Sequence, residues 1–107
     1  MSLRKNITYY SRDRIEMLEF IPDSAQKVLD IGCGQGRFGE QLRHRNIEVW
    51  GVEPFTDTAF IAESKLNKVL TGTIEDNIDQ LPENYFDIIV LNDVLKHLLI
   101  PGILLQS

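Results

Sequence analysis

Val28-Leu-Asp-Ile-Gly-Cys-Gly-Gln-Gly36 is a short apolar run that ends in three glycines spaced two residues apart. Lys27 to Ile31 is compact and rich in β-branched residues, which reads as a strand, and Gly32 to Gly36 reads as the loop that ends it. Arg37 to Arg45 then places Phe38 and Leu42 four apart among charges, the spacing of one helix face, with Asn46 where such a helix stops. Strand, glycine loop and helix together form the opening unit of an α/β layer structure.

The same alternation continues downstream. Glu48 to Val52 is a second strand ended by Glu53-Pro54, and a helix begins at Thr56 or Asp57, carrying Ala59, Phe60, Ala62 and Leu66. Trp50 and Phe60 read as core residues. Lys68 to Thr71 is a third short strand. A turn at Pro82-Glu-Asn84 precedes Phe86-Asp-Ile-Ile-Val-Leu91, an apolar run of the kind buried on both faces of a parallel sheet, and Asp93 to Leu99 reads as helical. Upstream, residues 6–14 lead into a short amphipathic helix with Ile15, Leu18 and Phe20 on one side, capped by Ser11 or Asp13 and closed by Pro22-Asp23. The pattern predicts an α/β fold: a Rossmann-like, doubly wound, mostly parallel sheet in three αβα layers, with about four strands present. Residues 1–22 form an N-terminal segment and helix, and 23–107 the ligand-binding domain. In such a sheet the first strand lies beside the switch point, so the loop after Ile31 opens onto the ligand crevice.

Composition narrows the partners. With 107 residues, the chain holds one domain and no second. A net charge of −5 without a Lys/Arg run lacks the footprint of phosphate-backbone binding, which argues against nucleic acid. The single cysteine, Cys33, forms no intrachain disulfide, and charges from Arg4 to Glu16 leave no apolar signal core, so a cytoplasmic setting is expected. The most apolar stretch, Val94 to Leu105, is broken by Lys96, His97, Pro101 and Gly102 and is too short to span a bilayer.

Two readings of the glycine loop compete. Asp30-Ile-Gly-Cys-Gly-Gln-Gly36 fits D-x-G-x-G-x-G, while Gly34-Gln-Gly36-Arg-Phe-Gly39 fits the dinucleotide fingerprint G-x-G-x-x-G. Asp30 discriminates between them: beside a pyrophosphate its carboxylate repels, and beside an ammonium or sulfonium it attracts. Glu53, 19 residues beyond Gly34 and at the end of the second strand, can accept both hydroxyls of an adenosine ribose. Two acids at successive strand ends beside a glycine loop serve no packing purpose visible in the sequence, which favours a binding role. Adenosine at one end and positive charge near the loop describe S-adenosylmethionine. Thr71-Gly-Thr-Ile-Glu-Asp76 could supply a backbone N–H and an apolar wall for adenine.

Taken together, these residues resemble the class I S-adenosylmethionine-dependent methyltransferases, in the form of a type 11/12-like methyltransferase domain. Val28 to Gly36 is similar to their first motif, Glu53 to their ribose acid, Gly72-Thr-Ile-Glu75 to their adenine-side segment, and Phe86 to His97 to their fourth strand and following helix. The resemblance spans roughly residues 9 to 105. It implies that Asp30, Gly32, Cys33, Gly34 and Gly36 surround the methionine part of the cofactor, and that Glu53 and Pro54 hold the ribose side. Thr73, Ile74 and Glu75 would then meet the adenine, and Asn92 the reactive end. Tyr9, Tyr10 and Arg12 resemble a segment that folds over the cofactor in similar enzymes, although the two tyrosines could simply cover the sheet.

Departures from the family pattern matter as well. Thr73 stands where the family often has Asp, which removes an acceptor for the adenine amine. In ubiquinone-type O-methyltransferases the helix after the fourth strand carries two acids and a histidine that bind a divalent metal. Here Asp93, Lys96 and His97 stand at those places, and the Lys96 ammonium would repel a cation, so no metal is expected there. His97 is the one candidate general base near the crevice, if the acceptor must lose a proton. Cys33 reads as a packing residue rather than a nucleophile, and His44 as a solvated residue at a helix end.

Three functions stay open on the sequence: a methyltransferase acting on a small acceptor, an inactive cofactor-binding fragment or partner subunit, and an NAD-dependent oxidoreductase. Family members continue through about three more strands, so the chain reads as truncated after the fourth. Ile88 to Leu91 would then be an exposed apolar edge, which soluble proteins avoid. A homo-oligomer is therefore expected, paired through that edge and through Ile100 to Leu105.

Overall fold

The structure, a computed structural model, describes residues 8–11 and 18–91. Within them five strands form one sheet: β1 (Thr8–Ser11), β2 (Lys27–Ile31), β3 (Glu48–Glu53), β4 (Lys68–Thr71) and β5 (Ile88–Leu91). Their spatial order is β1-β5-β2-β3-β4, and every pairing is parallel. The chain steps outward from β2 to β3 to β4, then returns to the other side of β2, so the switch point lies between β2 and β5. The loop after Ile31 leaves the sheet at that point, as the alternation predicts.

β2 and β5 are central and buried on both faces, which is why they read as continuous apolar runs. Alternate residues serve two cores. Val28, Ile88 and Val90 face a cluster closed by Phe38 and Leu42 from α1 (Arg37–Arg43), Ala62 from α2 (Thr56–Glu63) and Leu66 just after it. Leu29, Ile31, Ile89 and Leu91 face a second cluster with Ile74 and Leu81, beneath α3 (Ile74–Asn77) and a 3-10 turn (Ile78–Gln80). Helices on both sides of the sheet make the expected three layers.

Local bonds hold the frame. Asn46, at φ 63, ends α1: its N–H donates to Arg43 O (3.0 Å) and that of Ile47 to Leu42 O (3.3 Å), satisfying carbonyls at the helix end. Asp87 accepts from the N–H groups of Gln26 and Lys27 at 2.9 and 3.0 Å, locking the register of β5 against β2. Arg45 reaches the carbonyls of Leu18 and Ile21, tying the segment before β2 to the end of α1.

Three expectations need correction. Ile88–Leu91 is not an open edge: β1 pairs with it in parallel from Thr8↔Ile88 to Ser11↔Leu91. Covering by β1 removes the physical reason to expect chains to associate through that strand. Among the described residues the edges are instead β1 and the short β4, where exposed Lys68 discourages further pairing. Secondly, Phe60 is 74% exposed, because α2 turns only Ala59 and Ala62 inward. Trp50 is half-buried and packed against the second core. Thirdly, residues 18–20 are helical but end in an exposed Phe20, and Ile21 is the residue buried there. The segments read as helices at Ile15 and at Asp93 to Leu99, and Ile100 to Leu105, lie outside the described residues.

At the strand ends away from the glycine loop, Glu48 accepts from the Trp50 indole N–H (2.8 Å) and from the Tyr85 hydroxyl. Lys27 and Lys68 stack on the Tyr85 and Trp50 rings at 4.2 and 4.9 Å. The Tyr85 hydrogen bond, with help from Trp50 and Lys27 and against burial, holds the Glu48 carboxyl below its ordinary 4.5. The same bond, followed by burial and the Glu48 charge, raises Tyr85 above 10.0. A lowered acid contributes stability that is lost as pH falls through its folded value, and a raised phenol contributes stability that is lost as pH rises through its own. The Tm difference between wild type and Tyr85→Phe should therefore be largest at neutral pH and shrink at both ends of a pH-resolved melting series. A difference independent of pH would contradict the pairing.

Candidate cofactor site

The loop that leaves β2 hangs on β3. Both Gly32 and Cys33 donate their N–H to Val52 O, at 2.7 and 3.1 Å, and Gly36 closes the turn onto Cys33 O at 3.1 Å before α1 begins. Gly32, Gly34 and Gly36 have φ of 77, 61 and 90°, a region that side chains disfavour. A Cβ at Gly34 would meet nothing within 4 Å, so its backbone is bared to open space.

Glu53, 5% exposed at the end of β3, joins the loop to the next helix. One carboxylate oxygen accepts the Gly34 N–H at 2.9 Å, and the other accepts the Phe55 N–H at 3.2 Å. Each oxygen has a second lone pair for a further donor. Contrary to the sequence expectation, Glu53 thus has a structural task, as a clasp between the glycine loop and the start of α2.

A third wall comes from the turn after β4. Gly72, at φ 120°, donates its N–H to Glu53 O at 2.9 Å. Thr73 caps α3 by accepting the Asp76 N–H at 3.1 Å. Asn77, 4% exposed, donates to Thr71 O (3.1 Å) and Thr73 O (2.8 Å) on either side of Gly72, and accepts from Gln80 at 2.9 Å. Between this turn and the ends of β2 and β3 lies an apolar cavity of about 70 Å³, lined by Ile31, Gly32, Val52, Pro54, Gly72, Thr73, Ile74 and Glu75.

Of the residues singled out in the sequence, Gly32, Pro54, Thr73, Ile74 and Glu75 meet at this cavity, with Glu53 and Gly34 clasped at its margin. Asp30 is fully buried and alternates with Ile31, so it faces the Val28 side of the sheet rather than the cavity. Cys33 is 4% exposed and belongs to the first core, so its side chain packs, as the sequence reading holds. Gly36 stands at the N-cap of α1. Tyr10 lies in β1, in register with Val90. Asn92, Asp93, Lys96 and His97 lie outside the described residues. Among the described residues no cluster of His, Cys, Asp or Glu is arranged to hold a metal, and no helix is long and apolar enough to cross a membrane.

Two residues of the site have no forecast in the sequence. Asn77 acts through carbonyls four and six residues upstream, a pairing that leaves no periodic signal. Phe55 contributes its backbone N–H, which any residue but proline could offer.

Residues 3–107 match the family model described as a methyltransferase domain. The chain belongs to that family. As a methyltransferase domain it is 28% identical over 92 residues to a ubiquinone biosynthesis O-methyltransferase of Pseudomonas savastanoi, covering 78% of this chain and 38% of that protein. It is 31% identical over 84 residues to the mitochondrial ubiquinone biosynthesis O-methyltransferase of Rattus norvegicus, covering 71% and 24%. Among solved structures, a SAM-dependent methyltransferase of Archaeoglobus fulgidus superimposes with a TM-score of 0.61 at 31% identity, over 71% of this domain and 35% of that chain. A TehB-like SAM-dependent methyltransferase of Corynebacterium glutamicum gives 0.56 at 30% identity, over 73% and 42%. The domain therefore spans well under half the length of these relatives.

Proposed function

We propose that the chain is the cofactor-binding part of an S-adenosylmethionine-dependent methyltransferase acting on a small acceptor. The observation that carries this reading is the clasped Glu53 carboxylate at the rim of an apolar slot, beside a glycine whose missing Cβ leaves open space. That set fits the cofactor: the slot suits a purine, the spare lone pairs of Glu53 suit a ribose diol, and the Gly34 backbone allows close approach. When bound, S-adenosylmethionine supplies a methyl group already activated on a sulfonium. The chain's own residues then bind and orient. Glu53 fixes the ribose, Pro54 and Ile74 exclude water from the ring, and Gly32 to Gly36 lie along the methionine part with Asp30 buried behind them. Tyr10 and Asn92 are assigned to its outer and reactive ends.

The ubiquinone relatives are named O-methyltransferases, which directs the acceptor search to hydroxyl-bearing small molecules. Where such an acceptor must lose a proton, His97 is assigned to take it. Undiminished turnover by a folded His97→Ala protein would remove that assignment. The residue ranges 1–22 and 23–107 are taken as the N-terminal segment and the binding domain, and a reducing cytoplasm suits the buried thiol of Cys33.

Thermal shift with S-adenosylhomocysteine and NAD tests the reading. At 100 times Kd, a ligand specific for the folded state adds about 2.7 kcal/mol. For a chain of this size the Tm should rise on the order of ten degrees. S-adenosylhomocysteine is expected to give that rise and NAD none; the reverse result would favour an oxidoreductase.

A further inference from the structure

Phe60 and Ile61 are neighbours on the outer side of α2, 74% and 40% exposed, while Ala59 and Ala62 take the inner side. Asp57, Phe60, Ile61 and Ser64 follow one another at i, i+3, i+4 and i+7, so they form one stripe along the helix opposite the core. An apolar side chain left in water forgoes the stabilisation that burial provides, and here two such side chains stand together.

The two ends of the stripe differ in charge. Asp57 lies in the first turn of α2. At the other end a cleft of about 280 Å³ opens between the ends of α1 and α2, lined by Glu40, Arg43, His44, Ser64 and Lys65. Arg43 ties its two walls together by donating from Nη1 to Lys65 O at 2.9 Å, which uses one of the five guanidinium N–H donors. Arg43 and Lys65 against Glu40 alone make the cleft cationic, in a chain whose net charge is −5. An acid, an apolar pair and a basic cleft in line are complementary to the same pattern reversed. An antiparallel copy of α2 supplies that reversal, and a twofold axis between Phe60 and Ile61 satisfies each match twice. A parallel copy would set acid against acid and align the two helix dipoles unfavourably.

We propose that the outer face of α2 is a docking surface for a second copy of this chain, packed antiparallel through its own α2. Phe60 and Ile61 of both copies meet at the twofold axis, and each copy's Asp57 reaches the Arg43 and Lys65 end of the other. None of the residues of the stripe lines the cofactor cavity, so the contact stands whatever that cavity binds. The surface is small: the eight residues of α2 span roughly 12 Å, and the area falls below the ~800 Å² per partner of a standard interface. Association is therefore weak, with a Kd on the order of 100 μM.

Sedimentation equilibrium of the full chain at concentrations up to about 1 mM tests this. Phe60→Ser should raise the dimer Kd roughly tenfold and, because the ring is exposed, leave the Tm of the dilute protein within about two degrees of wild type. Asp57→Lys brings like charges together at both ends of the contact, and so does Lys65→Glu, so each should also raise Kd roughly tenfold. An equimolar mixture of those two variants should dimerise again, because opposite charges then meet at both ends of the mixed dimer. Neither misfolding nor a weakened helix can produce that rescue. A wild type that stays monomeric at the highest concentration overturns the proposal, as does an unchanged Kd in Phe60→Ser. A mixture no more dimeric than its two components overturns it as well.

Discussion

Glu53→Ala should weaken S-adenosylhomocysteine about a hundredfold and, in the same protein without ligand, lower stability by about 2 kcal/mol. The first effect follows from the proposed role of Glu53, whose loss removes a charged acceptor for two ribose hydroxyls. The second follows from the clasp: the Gly34 and Phe55 N–H groups, now at 2.9 and 3.2 Å from the carboxylate, lose a charge-assisted partner in a site only 5% exposed. Glu53→Gln should fall between, because an amide oxygen can satisfy one of the two N–H groups and its NH2 then opposes the other. Urea unfolding without ligand and calorimetric titration with it separate the terms. An unchanged urea midpoint in Glu53→Ala would show that water replaces the clasp at no cost.

Gly51→Ala should be the most destabilising single methyl addition in the sheet, at about 3 kcal/mol. Gly51 lies mid-strand in β3, paired with Asp30 on one side and Val69 on the other, so its backbone has no room to retreat. A Cβ there would sit 2.5 Å from Cys33 Sγ, 2.8 Å from Leu66 Cδ1 and 2.9 Å from Cys33 Cβ. Leu66 could rotate, although it is only 4% exposed. Cys33 Cβ can move only with the glycine loop, which hangs on Val52 O. The substitution should therefore shift the urea midpoint at constant slope and also weaken S-adenosylhomocysteine. Truncating Leu66 to Ala in the same chain should not restore stability, because the Cys33 contact persists. A loss below about 1 kcal/mol would mean that the loop has slack.

What could be read from the sequence follows the physics of each element. β2, β4 and the stop at Asn46 stand where the apolar runs and the left-handed residue put them, since burial and backbone geometry are local constraints. β1 was not legible. Thr8-Tyr-Tyr-Ser11 has no apolar alternation of its own, and it is a strand because β5 offers it an edge far along the chain. α3 spans four residues, too few for a helical period to register. Phe60 misleads because a helix packed through Ala59 and Ala62 lies close to the sheet, where a large ring has no room on the inner side. In the site, residue types and spacing located Glu53 beside the loop, while its amide partners depend on how β3 carries the chain past Gly34. Asp30 was chosen in the sequence for its charge, whereas which face of the sheet it takes is set by the alternation of β2, which puts it on the Val28 side.

The pairing of β1 with β5 also bears on how the chain is made. Thr8 is synthesised before the rest of the sheet, but its partner Ile88 lies roughly eighty residues downstream. Non-local pairings of this kind form slowly, because loop closure must be met before contacts repay it. β2, β3 and β4, each within about twenty residues of the next, can assemble while β1 still waits outside the sheet. Until Leu91 has left the ribosome, the nascent sheet lacks one side of its centre, and β1, translated before β2 to β5, is placed after β2, β3 and β4.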